Sequence, residues 1–215
     1  MNEKLYHTQY DVNEKSRIKK FFEKYKLLLF STVVFLLVAW FSIFFYLEKK
    51  ESKKILLSDN YLDAEIHLQN NEKDKAKKIL EKIVFENDPT YSALSLFLLI
   101  DENLLKDENE MSRMFNYILN NNSYEKEIKN LIILKKALLE SRFVSEVELL
   151  KTIDPIIKSE TVWRPQALLL IGDYFFYKNE KLKAKQFYMQ ILELKNLNRA
   201  IIDYTRLQLS TITND

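Results

Sequence analysis

The chain has 215 residues, and its 33 basic and 31 acidic side chains leave a net charge of +2. This near balance lacks the clustered basic excess of nucleic-acid binders, so we expect no nucleic-acid partner. The single glycine, Gly172, excludes glycine-rich phosphate loops, and the absence of cysteine excludes disulfides and thiolate metal sites. The composition favours helices joined by short polar turns, with no cofactor and no small-molecule substrate indicated.

An uncharged, apolar stretch occupies residues 27–47, with the sequence LLLFSTVVFLLVAWFSIFFYL. At about 1.5 Å per residue it is roughly 31 Å long as a helix, which is about the thickness of a bilayer's hydrocarbon core. The hydroxyl groups of Ser31, Thr32 and Ser42 can bond to the helix backbone. The stretch is too long for the apolar region of a cleaved signal peptide, and no small-residue cleavage site follows it. We therefore predict a permanent transmembrane helix.

The charges that flank the span predict its orientation. Six basic side chains precede it closely and four follow it: Lys15, Arg17, Lys19, Lys20, Lys24 and Lys26 before, and Lys49, Lys50, Lys53 and Lys54 after. The excess favours a cytoplasmic tail over residues 1–26. Apolar residues in this tail also follow helical spacing, at Ile18, Phe21, Phe22 and Tyr25. They fit either an interfacial amphipathic turn or the first part of one long helix.

The second half of the span is rich in aromatic residues. Trp40, Phe41, Phe44 and Phe45 lie within six positions. An interfacial belt explains part of this enrichment. Phe41, Phe44 and Phe45 are also spaced to share one helix face, so we expect this face to pack on another membrane helix.

Beyond the span, residues 48–215 show helical periodicity broken by short polar or proline-marked clusters. The predicted helices are 55–69, 72–86, 90–104, 108–120, 124–141, 145–158, 164–178, 180–194 and 198–211. Pro89 and Pro165 lie where a helix should begin. Pro155 lies inside a predicted helix and should kink or split it.

Small residues recur twelve positions apart, as in the two helices of a tetratricopeptide hairpin. Ala64 and Ala76 form one such pair, and Gly172 and Ala184 form another. A 34-residue period then predicts degenerate small positions at Leu98 and Glu110, with extra residues near 124–141. The predicted fold is an all-α, tetratricopeptide-like solenoid of about four hairpins with a C-terminal capping helix. The alternative is a helical bundle in which the two pairs recur by chance.

Solenoids of this kind expose a groove lined by the first helix of each pair. The repeat positions predict groove residues in three places: Tyr61, Glu65 and Leu68; Ser95, Leu99 and Glu102; and Leu169, Asp173, Phe176 and Tyr177. Leu99 and Leu169 are better explained by packing against neighbouring helices. Phe176 and Tyr177 are adjacent, so they cannot both face inward.

No catalytic constellation is evident in the sequence. Asp59, Asp63 and His67 are spaced four apart on one predicted helix, a geometry that can hold a metal. His67 also occupies a position that normally packs at the edge of the core, and we prefer that interpretation. We therefore expect no catalytic, cofactor or metal site.

The order of these parts resembles that of a known family, the membrane-anchored tetratricopeptide-like ancillary subunits of the Sec translocon. The lysine-rich collar at residues 12–25 is similar to the family's tail, and the stretch with Tyr61, Ala64 and Ala76 to its first repeat. VWRPQA at residues 162–167 resembles the element that opens the last hairpin, and the helix with Arg199 and Arg206 resembles its cap.

The resemblance implies a bacterial inner-membrane protein with a periplasmic repeat domain. Such a protein would assist secreted proteins at the translocon, beside a membrane-anchored folding factor. Two other functions stay open at this point: an adaptor for cell-envelope assembly or division, and an anchored enzyme with an unrecognised site.

Overall fold

In the computed structural model, the backbone is described for residues 3–214 and the side chains for residues 19–213. The described residues form nine α-helices and no strand, so the prediction of an all-α chain is confirmed. The helices are α1 (Glu3–Gln69), α2 (Lys73–Val84), α3 (Tyr91–Asp101), α4 (Glu108–Asn121), α5 (Lys126–Glu140), α6 (Glu146–Ile157), α7 (Arg164–Tyr177), α8 (Lys181–Leu192) and α9 (Arg199–Asn214).

From α2 onward, every predicted helix begins and ends within three residues of the observed one. The helix predicted over 55–69 is instead the end of α1, a single helix of 67 residues. Of the two interpretations of the segment before the span, the long helix is therefore observed. α6 continues through Pro155 to Ile157, so the predicted split is wrong. Pro155 lies in the last turn, where its missing donor disturbs little of the helix.

The chain divides into two compact units, Met1–Leu56 and Leu57–Asp215. In the first unit, every large apolar side chain between Leu27 and Leu47 is more than a third exposed. By length and composition, α1 is the one helix in the described part of the chain that can cross a membrane. The side chains of Lys15, Arg17 and Ile18, used in predicting the tail, lie outside the described residues.

The hydroxyl groups within the span bond to its own backbone, as predicted. Ser31 and Thr32 donate to the Leu28 carbonyl at 2.9 and 2.8 Å, and Ser42 donates to the Val38 carbonyl at 2.8 Å. These polar atoms therefore need no water, which removes most of their cost in a hydrocarbon environment.

The second unit has two core clusters that meet at α5. The first contains Ile132 of α5 with residues of α1 to α4, and the second contains Ala137 of α5 with residues of α6 to α8. From α2 to α9, each helix packs on the next one along the chain. Helices that are not chain neighbours also touch, since α5 packs on α7 and Tyr204 of α9 bonds to Asp173 of α7.

Asparagine, not glycine, supplies the left-handed backbone of this unit. Five residues in the described chain have positive φ, and all five are asparagines: Asn71, Asn87, Asn103, Asn179 and Asn196. Asparagine tolerates this region better than other residues that carry a Cβ. The sole glycine, Gly172, lies inside α7 and is not used for a turn.

Three of these asparagines end their helices with the same hydrogen bonds. After α1, the Asn71 amide donates to the Leu68 carbonyl at 3.0 Å and the Glu72 amide to the His67 carbonyl at 2.8 Å. The pattern is the Schellman motif, which satisfies the last carbonyls of a helix. Asn103 after α3 and Asn179 after α7 repeat it, with the following amides at 2.9 Å from Leu99 and Phe175.

Candidate protein-binding surface

The three asparagine turns fix which positions of α1, α3 and α7 are equivalent. Seven residues before them lie Ala64, Leu96 and Gly172, and each is buried. Leu96, not Leu98, therefore occupies the small-residue position of α3. The physical reason is that the Asn71 and Asn103 turns lie 32 residues apart, two fewer than the assumed period. A fixed period of 34 cannot follow that difference.

Helices α2, α4, α6 and α8, each the second of a predicted pair, bury the same position when counted from their first residue. Their fourth residues are buried, and they are Ala76, Met111, Leu149 and Ala184. Met111 thus takes the position predicted for Glu110, which is only half-buried. Leu149 lies twelve residues after the buried Ala137 of α5, the same spacing as in the two predicted pairs. The α5–α6 pair therefore has its small residue on α5 alone.

The residues that exceed a strict period of 34 lie mainly between the starts of α4 and α6. Helices α2, α4, α6 and α8 begin at residues 73, 108, 146 and 181, so the intervals are 35, 38 and 35. The interval of 38 contains α5, near the predicted place. α5 has 15 residues and is only one residue longer than α4 and α7, so the extra residues predicted near 124–141 do not lie in a lengthened helix.

The predicted groove residues of α1 lie at a half-buried, acidic part of the surface. The Tyr61 ring is 6.0 Å from the Tyr91 ring. Burial, and then the carboxylates of Glu65 and Asp101, raise the pKa of Tyr61. Tyr61 and Leu68 both pack on the first core cluster, and Tyr61, Glu65 and Leu68 are all half-buried.

Two of the three predicted groove residues near α3 are not accessible. Ser95 and Leu99 are fully buried, and Glu102 lies 3.9 Å from the Lys73 ammonium. Placing Ser95 in an open groove was wrong, because the prediction used the 34-residue period. Counted from Asn103, the residues equivalent to Glu65 and Leu68 are Phe97 and Ile100.

The predicted groove residues of α7 take three different roles. Asp173 accepts hydrogen bonds from the hydroxyls of Tyr188 at 2.6 Å and Tyr204 at 3.1 Å, which join α7 to α8 and α9. Burial, and then the Asp173 charge, raise the pKa of Tyr204 to about 12. Phe176 packs against the second core cluster, and Leu169 does the same, whereas Tyr177 is 85% exposed.

A cleft of about 240 Å³ lies between α3 and α5, with Phe115 of α4 in its lining. It is lined by Phe97 and Ile100 of α3 and by Leu138 of α5, among others. Counted from Ala137, Leu138 is equivalent to Glu65, and Arg142, which also lines the cleft, is equivalent to Gln69. The cleft therefore includes residues equivalent to the predicted groove positions of α1, which the sequence analysis missed. Counting from the asparagines would have found those on α3.

The predicted membrane-facing aromatics are uncovered within the first unit. Trp40, Phe41, Phe44 and Phe45 are each more than half exposed. Ring contacts join neighbours in sequence, at 5.7 Å between Trp40 and Phe41 and 6.2 Å between Phe44 and Phe45. This aromatic group is available for lipid or for another membrane helix.

His67 is held by acidic side chains. Its Nδ1 lies 2.5 Å from Glu72 Oε2, and its Nε2 lies 3.7 Å from Asp63 Oδ2. The described residues contain no group of three histidine, cysteine or acidic side chains that could hold a metal ion. The arrangement around His67 supports the end of α1 and the turn that follows.

The VWRPQA element anchors the start of α7 on α5. The Trp163 indole donates to the Glu127 carbonyl at 2.9 Å, and the Thr161 hydroxyl donates to the Glu127 carboxylate at 2.5 Å. Pro165 is in the first turn of α7, as predicted, whereas Pro89 precedes α3, which begins at Tyr91.

One internal repeat escaped the sequence analysis. Residues 71–77 read NEKDKAK and residues 179–185 read NEKLKAK, identical at all positions except Asp74 and Leu182. Both segments contain an asparagine turn and the start of a second helix.

No protein-family model, curated protein or solved structure matches this chain.

Proposed function

We propose that this chain is a non-enzymatic, membrane-anchored scaffold that binds proteins. In this proposal α1 crosses the membrane, the helices from the end of α1 to α8 form a solenoid of four hairpins, and α9 caps it. The observation that carries the proposal is the recurrence of one hairpin design after an exposed apolar helix. That design, an asparagine turn with buried small residues twelve apart, is complete in the α1–α2 and α7–α8 pairs. The α3–α4 pair keeps the asparagine turn, and the α5–α6 pair keeps the spacing of twelve with one small residue.

The hydrogen bonds between helices support a linear repeat. The Tyr117 hydroxyl donates to the Phe85 carbonyl, 32 residues away, at 3.1 Å. The Thr161 bond to Glu127 spans 34 residues, and the Lys183 bond to Glu146 spans 37. Separations close to one repeat are expected when each hairpin contacts only its neighbours.

The cellular setting of the proposal rests on the charge excess before the span and on the resemblance. In this setting the protein lies in a bacterial inner membrane, with residues 1–26 in the cytoplasm and the helical unit in the periplasm. It assists secreted proteins at the Sec translocon, beside a membrane-anchored folding factor. Fold alone does not decide function, so this assignment needs a direct test.

Reporter fusions after Asp215 test the topology. A periplasm-dependent reporter is expected to be active there, and activity of a cytoplasm-dependent reporter would reverse the orientation. Photo-crosslinking from position 177 in intact membranes then tests the partner, because Tyr177 is the most exposed predicted groove residue. Capture of translocon subunits or secreted precursors is expected. Capture of neither, with efficient crosslinker incorporation, would contradict the proposed role.

A purified full-length chain that turns over a metabolite would contradict the non-enzymatic assignment. Replacement of residues 27–47 by an unrelated apolar helix tests whether the aromatic group of the span contacts the partner. Loss of copurification, with the helical unit still folded, is expected. Retained copurification would assign the contact to the helical unit.

A further inference from the structure

We propose that the cleft between α3 and α5 binds a partner polypeptide through one large apolar side chain and an adjacent carboxylate. This inference rests on the proposed protein-binding function and names the chemistry that one site recognises.

The interior of the cleft is apolar. Phe115, 1% exposed, is among the lining residues, with Phe97 and Ile100 of α3 and Leu138 and Leu139 of α5. Leu138 is 57% exposed, so it offers apolar surface to a ligand outside the cleft as well. The volume of about 240 Å³ is below the roughly 300–1,000 Å³ of small-molecule pockets. It suits a single leucine or phenylalanine side chain presented by a peptide.

The α5 side of the cleft carries two cations that have no carboxylate partner among the described residues. Lys135 and Arg142 both line the cleft, and neither forms an ion pair. The Lys135 ammonium lies 4.7 Å from the centre of the Phe97 ring, so it is held at the cleft by a cation–π contact.

Two glutamates next in sequence to lining residues are already engaged by other groups. Glu140 lies 3.5 Å from the Lys136 ammonium and accepts hydrogen bonds from Ser112 at 2.8 Å and Thr152 at 3.1 Å. Glu102 faces Lys73 at 3.9 Å. Neither glutamate therefore competes for Lys135 and Arg142, and Asp101 is the one acidic side chain in the cleft lining.

The charges also orient the ligand. Asp101 lines the α3 side of the cleft, opposite the two cations. A ligand carboxylate is repelled by Asp101 and attracted by Lys135 and Arg142, so it should lie toward α5. Complementary charge of this kind selects among partners and fixes the direction of binding. The fitting partner is an acidic segment with a leucine or phenylalanine beside its carboxylate.

The test uses the full-length protein in detergent micelles and a fluorescent peptide of eight residues, with a central phenylalanine flanked by aspartates. The probe should bind the native chain, and replacing its phenylalanine by serine should weaken binding at least tenfold. The variant Lys135→Glu with Arg142→Glu should also lose tenfold or more. It should gain affinity for a peptide with lysines in place of the aspartates.

The matched control is Lys129→Glu with Arg206→Glu, which changes the net charge equally at exposed cations outside the cleft. It should bind the acidic probe like the native chain, and thermal unfolding should show that both variants are folded. An equal loss in the control, or no binding of the probe to the native chain, would overturn the proposal. Self-association that disappears in the cleft variant would assign the cleft to a second copy and would also overturn it.

The proposed function and this inference can fail separately. If crosslinking from position 177 captures the partner and the cleft variant still binds the probe normally, the scaffold role stands and the cleft assignment fails.

Discussion

The α1–α2 and α7–α8 turns use the same local design, but their helices cross with different residues. Each turn has an asparagine with positive φ, and in each a glutamate lies 2.7 Å from a lysine three residues later, Glu72 with Lys75 and Glu180 with Lys183. The crossings differ because the last pair has a smaller side chain on its first helix and a larger one on its second helix. Ala64 and Leu80 in the first pair correspond to Gly172 and Tyr188 in the last, and all are buried.

This difference in side-chain size explains the single glycine. A Cβ placed on Gly172 would lie 2.6 Å from Cε1 of Tyr188, closer than unbonded carbons approach. The larger ring also carries a hydroxyl to Asp173, where Tyr204 of α9 joins it. Leu80 has no hydroxyl with which to do the same in the first pair. The hydrogen bonds at Asp173 thereby link the α7–α8 pair to α9. The α1–α2 pair has no equivalent bond at Leu80.

The strongest way to break the comparison is Gly172→Ala. The added methyl group should destabilise the full-length protein by about 1–3 kcal/mol through overpacking. The better helix propensity of alanine should offset up to about 1 kcal/mol of this loss. Chemical unfolding in micelles, followed by helical circular dichroism, measures the change.

Adding Tyr188→Leu to Gly172→Ala recreates the first pair's crossing and should restore part of the lost stability. In a double-mutant cycle this appears as a coupling of about 1–2 kcal/mol. Ala64→Gly is the matched control and should lose about 1 kcal/mol, since it lowers helix propensity and clears no clash. Additive effects of Gly172→Ala and Tyr188→Leu would mean that the two residues do not limit the crossing.

The shared turn should respond equally at both ends of the unit. Asn179→Ala should cost about 1 kcal/mol, because alanine is disfavoured at a φ of 61°. Asn179→Gly should be neutral or slightly stabilising. The same two substitutions at Asn71, where φ is 60°, should give the same pair of results in unfolding measurements. A large loss with glycine would show that the asparagine side chain itself is needed.

The smallest expected effect concerns the hydrogen bond from Tyr204 to Asp173, which only the last pair has. The pKa of Tyr204 is raised to about 12, above the ordinary value of 10.0. The contribution of the protonated Tyr204 hydroxyl to the free energy of unfolding is therefore present below about pH 10 and is lost as the pH rises toward 12. Tyr204→Phe should flatten the fall in stability over this window. Tyr117→Phe, which removes a bond to a backbone carbonyl, is the control. An unchanged pH profile in Tyr204→Phe would assign the fall to other groups.

Local signals in the sequence were enough for the helices and the span. The periodicity of apolar residues and the polar breaks between them act over a few residues, so the helices after α1 were predicted to within three residues. The uncharged stretch at 27–47 identified the helix that can cross a membrane for the same reason. Pro155 did not split its helix, because the effect of a proline depends on how much helix follows it.

The relation between helices depended on the tertiary structure. The Asn71 and Asn103 turns lie 32 residues apart and not 34, so the buried position is Leu96 and not the predicted Leu98. Asp173 fitted an open groove in the sequence, but two tyrosine hydroxyl groups from α8 and α9 occupy it. The cleft joins Phe97 and Lys135, which lie 38 positions apart in the sequence. Only packing brings such residues together, because a short-range pattern specifies which face of a helix is apolar and not which partner covers it.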